Sequence, residues 1–246
     1  MSDEGSVRDR LIDAGVDLVM ARGAGDLGLR EIARAAGVSH GAPRRYFPTH
    51  HSLLSAIAHR GFAALEARFD AAGQGAATPR DHLRALARAY VRYAVECPGM
   101  FELMFRHDLL NGDGQDHGGP RLRERTLPLF ERVVSLVGES RRGGGGSAQA
   151  PPPAVAAAAL WANVHGLVQL WTWESLRLAL PHDHTGGGTS DGDGDGGGTS
   201  DGGTSDGDGD GGGTSDGGTS DGDVDGGLLD RLVSAALDAH LGPEPA

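Results

Sequence analysis

Apolar residues recur three and four positions apart in almost every segment of this chain that carries them. Val7, Leu11, Ala14 and Leu18 share one face over 6–22, and Leu29, Ile32, Ala33 and Ala36 stand at i, i+3, i+4 and i+7. Over 51–71 the same period links Leu54, Ile57, Ala58, Gly61, Phe62, Leu65 and Phe69. The next segment repeats it with Leu83, Leu86, Ala87, Tyr90, Val91 and Ala94, behind Thr78 as a cap and Pro79 as first helical residue. Cys97-Pro98-Gly99 ends that helix, a short one over "MFELMFRHDLL" follows, and "NGDGQDHGG" breaks the chain again. Residues 120–138 place Leu127, Phe130, Val133, Val134 and Val137 on one side, 154–180 are apolar nearly all round, and 228–241 close with Leu229, Leu232, Val233 and Ala236. No alternating strand pattern competes, so the expected fold is all-α with about nine helices.

Composition agrees with a globular chain. Of its 246 residues 38% are hydrophobic, enough for one or two domains with a core. No uninterrupted apolar run reaches membrane-spanning length, and "MSDEGSVRDR" at the start lacks the apolar core of a secretory signal, so a cytoplasmic protein with no membrane partner is expected. The single cysteine, Cys97, has no second cysteine for a disulfide or a shared metal.

The formal net charge of -12 is unevenly spread. Of 34 acids, eleven are aspartates within 185–227, which leaves 23 acids against 22 basic residues, all of them arginine. That acidic stretch is a tandem repeat: "TSDGDGDGGGTSDGG" occupies 189–203 and again 204–218, and "TSDGDVDGG" begins at 219. Rich in Gly and Asp and almost devoid of apolar side chains, 185–227 is expected to be a disordered linker. Its "DGDGDG" runs resemble the opening of a calcium-binding loop, but Gly202 and Gly217 stand where the twelfth-position glutamate is needed, so no metal site is expected. A second linker, "RRGGGGSAQAPPP", is expected over 139–153.

Charge has the opposite sign near the N-terminus. Residues 27–60 hold one acid, Glu31, against Arg30, Arg34, Arg44, Arg45 and Arg60, with four histidines besides. Phosphate neutralisation depends on local rather than whole-chain charge, so this patch suits nucleic acid. Within it, "AAGVSHGAPRRYF" reads as the end of one helix, a turn at Gly37-Val38 and a second helix capped by Ser39, which is a helix-turn-helix over 28–47. Pro43 would be the fourth residue of a helix capped by Ser39, where its ring crowds the preceding turn. A later start or a 3₁₀ first turn removes the conflict and predicts a short second helix.

"LREIARAAGVSHGAPRRYFPTHHSLLSAIAHRGF" resembles the DNA-binding domain of the TetR family of transcriptional regulators. Downstream, "PGMFELMF" and "LWANVHGLVQLW" resemble the effector domain of members with a Trp-His-Gly signature, here Trp161, His165 and Gly166. The resemblance implies a DNA-binding domain at 6–64 and an effector-binding and dimerisation domain at 65–241, within which composition places the linkers at 139–153 and 181–227. It also implies a homodimeric repressor that a small-molecule effector releases from a palindromic double-stranded operator. The DNA-facing positions would be Arg30, Ser39, His40, Gly41, Arg44, Arg45, Tyr46, Thr49 and His50. Departures from the family pattern are Pro43-Arg44 in place of Leu-Tyr, His50 in place of lysine, and Gly28 in place of a capping hydroxyl residue. These shift the phosphate grip toward the arginines, either of which could instead reach guanine.

Tyr90, Tyr93, Phe101, Met104 and Phe105 fit either a core or an effector pocket, and so do Trp161 and His165. His165 stands on an almost wholly apolar helix, where an imidazole needs a partner. The dimer implied by the resemblance would pair 154–180 and 228–241 across a two-fold axis, through Leu167, Leu170, Trp171, Leu229, Leu232, Val233 and Ala236. No nucleotide-binding glycine loop, nucleophile elbow or metal-ligand spacing is present, so neither an enzyme nor a cofactor is expected. The competing expectation, prompted by Pro43, Gly28 and His50, is a helical protein-interaction module with weakened operator binding.

Overall fold

The computed structural model describes residues 2–25, 27–106, 122–143, 150–180 and 221–242. All regular structure in them is helical: α1 (Ser2–Arg22), α2 (Leu29–Ala35), α3 (Ala42–Tyr46), α4 (His50–Gly73), α5 (Pro79–Glu96), α6 (Pro98–Phe105), α7 (Leu122–Gly143), α8 (Pro153–Thr172), α9 (Ser175–Ala179) and α10 (Asp221–Leu241). Among the described residues the expected all-α class holds, with the five-residue α9 set apart from the end of the helix expected over 154–180.

A small head forms from α1 to the first half of α4, where Leu11, Ile32, Leu53, Leu54 and Ile57 are fully enclosed. The buried side of α1 is Leu11, Ile12 and Val19, with Val7, Ala14 and Leu18 at its margins; the expected face was therefore rotated toward its edge. In the body α4 packs on α5 and α7, and α8 and α10 pack in turn on those two and on each other. Thr78 caps α5 as expected, its hydroxyl accepting from the Asp81 amide at 3.0 Å ahead of Pro79.

Between head and body lies α6, which packs on α1 and α4 as well as on α5. Gly99 makes that position possible. A Cβ there would stand 2.5 Å from the Val19 carbonyl oxygen and 2.8 Å from the Gly23 Cα, both backbone atoms. The two helices can therefore approach only because this residue has no side chain.

Polar contacts fix α10 to the body. Arg80, buried on α5, pairs with Asp238, and Arg88 Nε lies 3.0 Å from Asp230. Arg141 of α7 donates to the Pro151 carbonyl at 2.6 Å and to the His240 carbonyl at 3.1 Å.

Two boundaries differ from expectation. Helix α7 runs through Gly143, taking the first five residues of the linker expected at 139–153, and Arg141 anchors that extension. Helix α10 begins at Asp221 rather than 228, so the end of the repeat is helical and not disordered. Once a packed segment has formed a helix, adding residues at its end costs far less than starting one. Residues 181–220, and all of the break expected at "NGDGQDHGG", lie outside the described residues. Helix α8 is long and apolar enough to cross a membrane by length and composition, yet Ala156, Ala157, Leu160, Val164, Val168 and Trp171 belong to the protein's own interior.

Candidate nucleic-acid interface

The turn expected at Gly37 is present. Ala36 ends α2, Gly37 adopts φ +66°, and the Val38 amide returns to the Ala33 carbonyl at 3.0 Å. The left-handed backbone at Gly37 is open to glycine and strained for residues with a Cβ. Val38 packs against the core, while Ser39, His40 and Gly41 are exposed.

The second helix starts later than a Ser39 cap would place it. Gly41 occupies the cap position without a side-chain bond, and the Ser39 carbonyl accepts from the Ala42 amide at 2.9 Å, a three-residue bond of 3₁₀ type. Pro43 thus falls in the first turn, where its missing amide and fixed φ do no harm. Five residues remain helical, as the short helix predicted from Pro43 requires.

Pro43 is buried and Tyr46 packs partly against the core, so the inner face of α3 is proline and tyrosine. Arg44 and Arg45 occupy the exposed last turn, and Arg30 and Arg34 are exposed on α2. Tyr46 therefore serves packing more than the surface role expected of it.

Two other expected contacts have partners inside the protein. The Thr49 hydroxyl caps α4, accepting from the Ser52 amide at 3.1 Å, while Ser52 Oγ accepts from the Thr49 amide at 3.2 Å. His50 Nε2–H donates to the Leu27 carbonyl at 2.6 Å, so the imidazole ties the start of α4 to the loop before α2. Arg60, counted with the basic patch, faces α1, 3.9 Å from Asp9 and 3.6 Å from Asp13.

A basic residue overlooked in the sequence stands at the opposite side of α1. The Arg8 guanidinium lies over the Phe47 ring, 5.2 Å from its centroid, and Phe47 is the residue that ends α3. A shallow groove beside it is lined by Val7 together with Val38, Ser39, Gly41, Ala42, Arg45 and Tyr46.

Behind the head, four aromatic rings surround one imidazole. His165 of α8 lies 5.5 Å from Phe101, 4.8 Å from Phe105, 5.7 Å from Trp161 and 6.3 Å from Tyr90, centroid to centroid. Trp161 Nε1–H donates to the Tyr90 oxygen at 3.3 Å, and the Tyr90 hydroxyl reaches His165 Nδ1 at 2.7 Å. The Gln169 side-chain amide nitrogen, 3.4 Å from His165 Nε2, can only donate, so Nε2 accepts and the ring proton sits on Nδ1, directed at the Tyr90 oxygen. Burial holds His165 below its ordinary pKa, favouring the neutral ring, and pushes the Tyr90 phenol well above its ordinary value.

Two residues expected with this cluster point elsewhere. The Tyr93 hydroxyl donates to the Gly61 carbonyl at 3.2 Å, and its ring carries Arg68 at 4.9 Å. Met104 packs beside Gly61 of α4. Both are core contacts, because their helix positions face α4 rather than α8. Gln169, which extends the polar chain from Tyr90, carries no sequence signal of its own.

The expected dimer residues divide in the same way. Trp171, Val233 and Ala236 are buried within the subunit, so their side chains are not on offer to a second copy. Leu167, Leu229 and Leu232 are half-buried. Leu170 is exposed, as are Val155, Trp161, Trp173 and Leu178.

Comparison with known proteins follows these boundaries. A family model described as bacterial regulatory proteins, tetR family, matches residues 11–57, and one described as a tetracyclin repressor-like C-terminal domain matches 83–185. A search of curated proteins finds no match. Among solved structures, a protein of unknown function from Rhodococcus sp. RHA1 superposes with a TM-score of 0.62 at 22% identity, over 96% of this chain and 93% of that one. AibR in complex with isovaleryl coenzyme A and operator DNA gives 0.52 at 18% identity, over 68% and 86%. The transcriptional regulator FadR from Bacillus subtilis in complex with stearoyl-CoA gives 0.52 at 15%, over 69% and 89%. At these identities the likeness is one of fold.

Proposed function

Because the chain belongs to the TetR family of DNA-binding transcriptional regulators, we propose that it is a homodimeric repressor, released from a palindromic operator by a small-molecule effector. The observation that carries this reading is the placement of α6. One side of it, Gly99, Met100 and Met104, lies against α1 and α4 of the head, and the other, Phe101 and Phe105, belongs to the ring cluster around His165. A ligand that spreads those rings must move α6, and α6 has no free space against α1.

The head would present α3 to the major groove, with Arg44 and Arg45 at its surface and Arg30 beside them. The exposed apolar side of α8, from Val155 through Leu170 to Trp173 beyond its end, supports a second copy as its cover. In that dimer the two α3 helices face successive major grooves. Effector binding then shifts a population between operator-fitting and non-fitting head separations, which requires different affinity for the two. The apolar, aromatic character of the cluster favours an apolar or aromatic effector, and AibR and FadR, of similar fold, are each described with an acyl coenzyme A. The cytoplasm is the compartment such a regulator needs, and regulation rather than catalysis is the work assigned to it.

The test is selection of bound duplexes from a random DNA pool, followed by titration with the selected sequence. Salt-sensitive binding that Arg44→Ala with Arg45→Ala abolishes, at a stoichiometry of two chains per duplex, is expected. Binding to no duplex would overturn the reading and favour a protein-interaction module. The His50 bond to Leu27, which takes one ring nitrogen out of DNA contact, is the observation on that side.

A further inference from the structure

We propose that Arg8 of α1 is a backbone-phosphate contact that flanks the α3 helix, its guanidinium held in place by the Phe47 ring. This inference rests on the operator-binding reading and adds to it a residue outside the helix-turn-helix.

Three observations place Arg8 there. Its guanidinium carbon lies 5.2 Å from the centroid of Phe47, which terminates α3 and is itself 2% exposed, so the platform is rigid. An arginine laid across an aromatic face keeps its charge and its in-plane N–H donors directed outward, which suits a phosphate oxygen. Its neighbour Val7 lines the groove shared with Ser39, Gly41, Ala42 and Arg45, so this turn of α1 belongs to the same surface as the start and the exposed turn of α3.

Among the described side chains, Asp9 and Asp13 of α1 do not cancel this charge. Asp9 and Asp13 lie roughly 100° and 140° around the helix from Arg8, from the 100° advance per residue. Both lie near Arg60 of α4, on the side away from Phe47. An exposed cation–π contact contributes little stability, on the order of 0.5–1 kcal/mol. Conformational order of the guanidinium is the more useful product, because a side chain already fixed loses less freedom when it meets DNA.

The experiment compares wild type, Arg8→Gln and Arg8→Lys by fluorescence anisotropy on the pool-selected duplex and on an unrelated duplex, over a series of salt concentrations. For a dimer with one phosphate contact per subunit, Arg8→Gln is expected to make the slope of log K against log salt shallower by about 1.8. It should weaken both duplexes by a similar factor, since phosphate contacts carry no sequence information. Arg8→Lys is expected to recover the slope, and thermal midpoints should stay together. An unchanged slope in Arg8→Gln overturns the inference, as does weakening confined to one sequence or a loss that lysine does not rescue. If wild type binds neither duplex, it is the operator reading that falls; if it binds and Arg8→Gln matches it, Arg8 alone is misassigned.

Discussion

Tyr90 and His165 are joined hydroxyl to Nδ1 at 2.7 Å inside a cluster of aromatic rings, with the Trp161 indole donating to the same phenol oxygen. Two helices meet at that oxygen, α5 through Tyr90 and α8 through Trp161 and His165, with the rings of α6 packed around them. Removing the phenol oxygen leaves the indole N–H and Nδ1 without their partner. Tyr90→Phe is therefore expected to lower stability by about 1–3 kcal/mol, the cost of an unsatisfied buried polar group. Urea unfolding measures it; a change under about 0.5 kcal/mol would show that water replaces the phenol without loss.

The neutral imidazole has a pH signature. Burial lowers the pKa of His165, and burial with the nearby Arg132 lowers that of His82 against the opposing effect of Glu139. In the unfolded chain both return to about 6.5. Between that value and the lower folded value the unfolded chain binds more protons, so stability is complete above pH 6.5 and declines as pH falls through the window. Denaturation from pH 7.5 to 5 should show this fall, and His165→Phe should lessen it. A variant with the wild-type slope would exclude His165 as a contributor.

Gly99 of α6 and Gly61 of α4 provide a matched pair where α6 meets the head. Around Gly99 the obstacles are backbone atoms of α1, whereas around Gly61 they are the flexible ends of Met100 and Met104. Gly99→Ala is expected to lower stability by about 1–3 kcal/mol, and Gly61→Ala by less, since methionine can re-pack. Thermal unfolding of the two variants checks the order, and equal effects would mean that α6 and α1 separate freely.

The ion pairs that hold α10 should differ in weight. Arg80 is buried while Arg88 is largely exposed, so Asp238→Asn strands a buried guanidinium whose Nε already lacks a partner. A loss of about 1–3 kcal/mol is expected there, against under about 1 kcal/mol for Asp230→Asn. Chemical denaturation of the two variants should show this order.

Helix positions were legible in the sequence because the interior imposes a 3.6-residue period on Leu54, Ile57, Phe62 and Leu65 whatever lies outside. The turn was legible because Gly37 answers a backbone requirement that composition displays. Pairing was not. Nothing in the sequence says that His50 would find the Leu27 carbonyl, twenty-three residues away, or that Arg60 would face Asp13, since long-range partners are set by how helices cross. Period also fails to say which side of an all-apolar helix faces inward. Val233 and Ala236 obey the same spacing whether they meet the subunit's own core or a second copy, and in the fold they are buried in the subunit's core with Asp230 and Asp238 paired to α5 beside them. Arg8 escaped notice because the ring that orients it lies thirty-nine positions further on.

The brevity of α3 limits how much any single head can know. Five helical residues span about 7.5 Å, little more than two steps of a DNA ladder whose rungs are 3.4 Å apart. So short a reader resolves few letters, and a genome supplies such words by the thousand. In the homodimer proposed above, selectivity would then reside less in the word than in the spacing between two words, with the body between the heads as a ruler and the proposed effector as a means of changing its length.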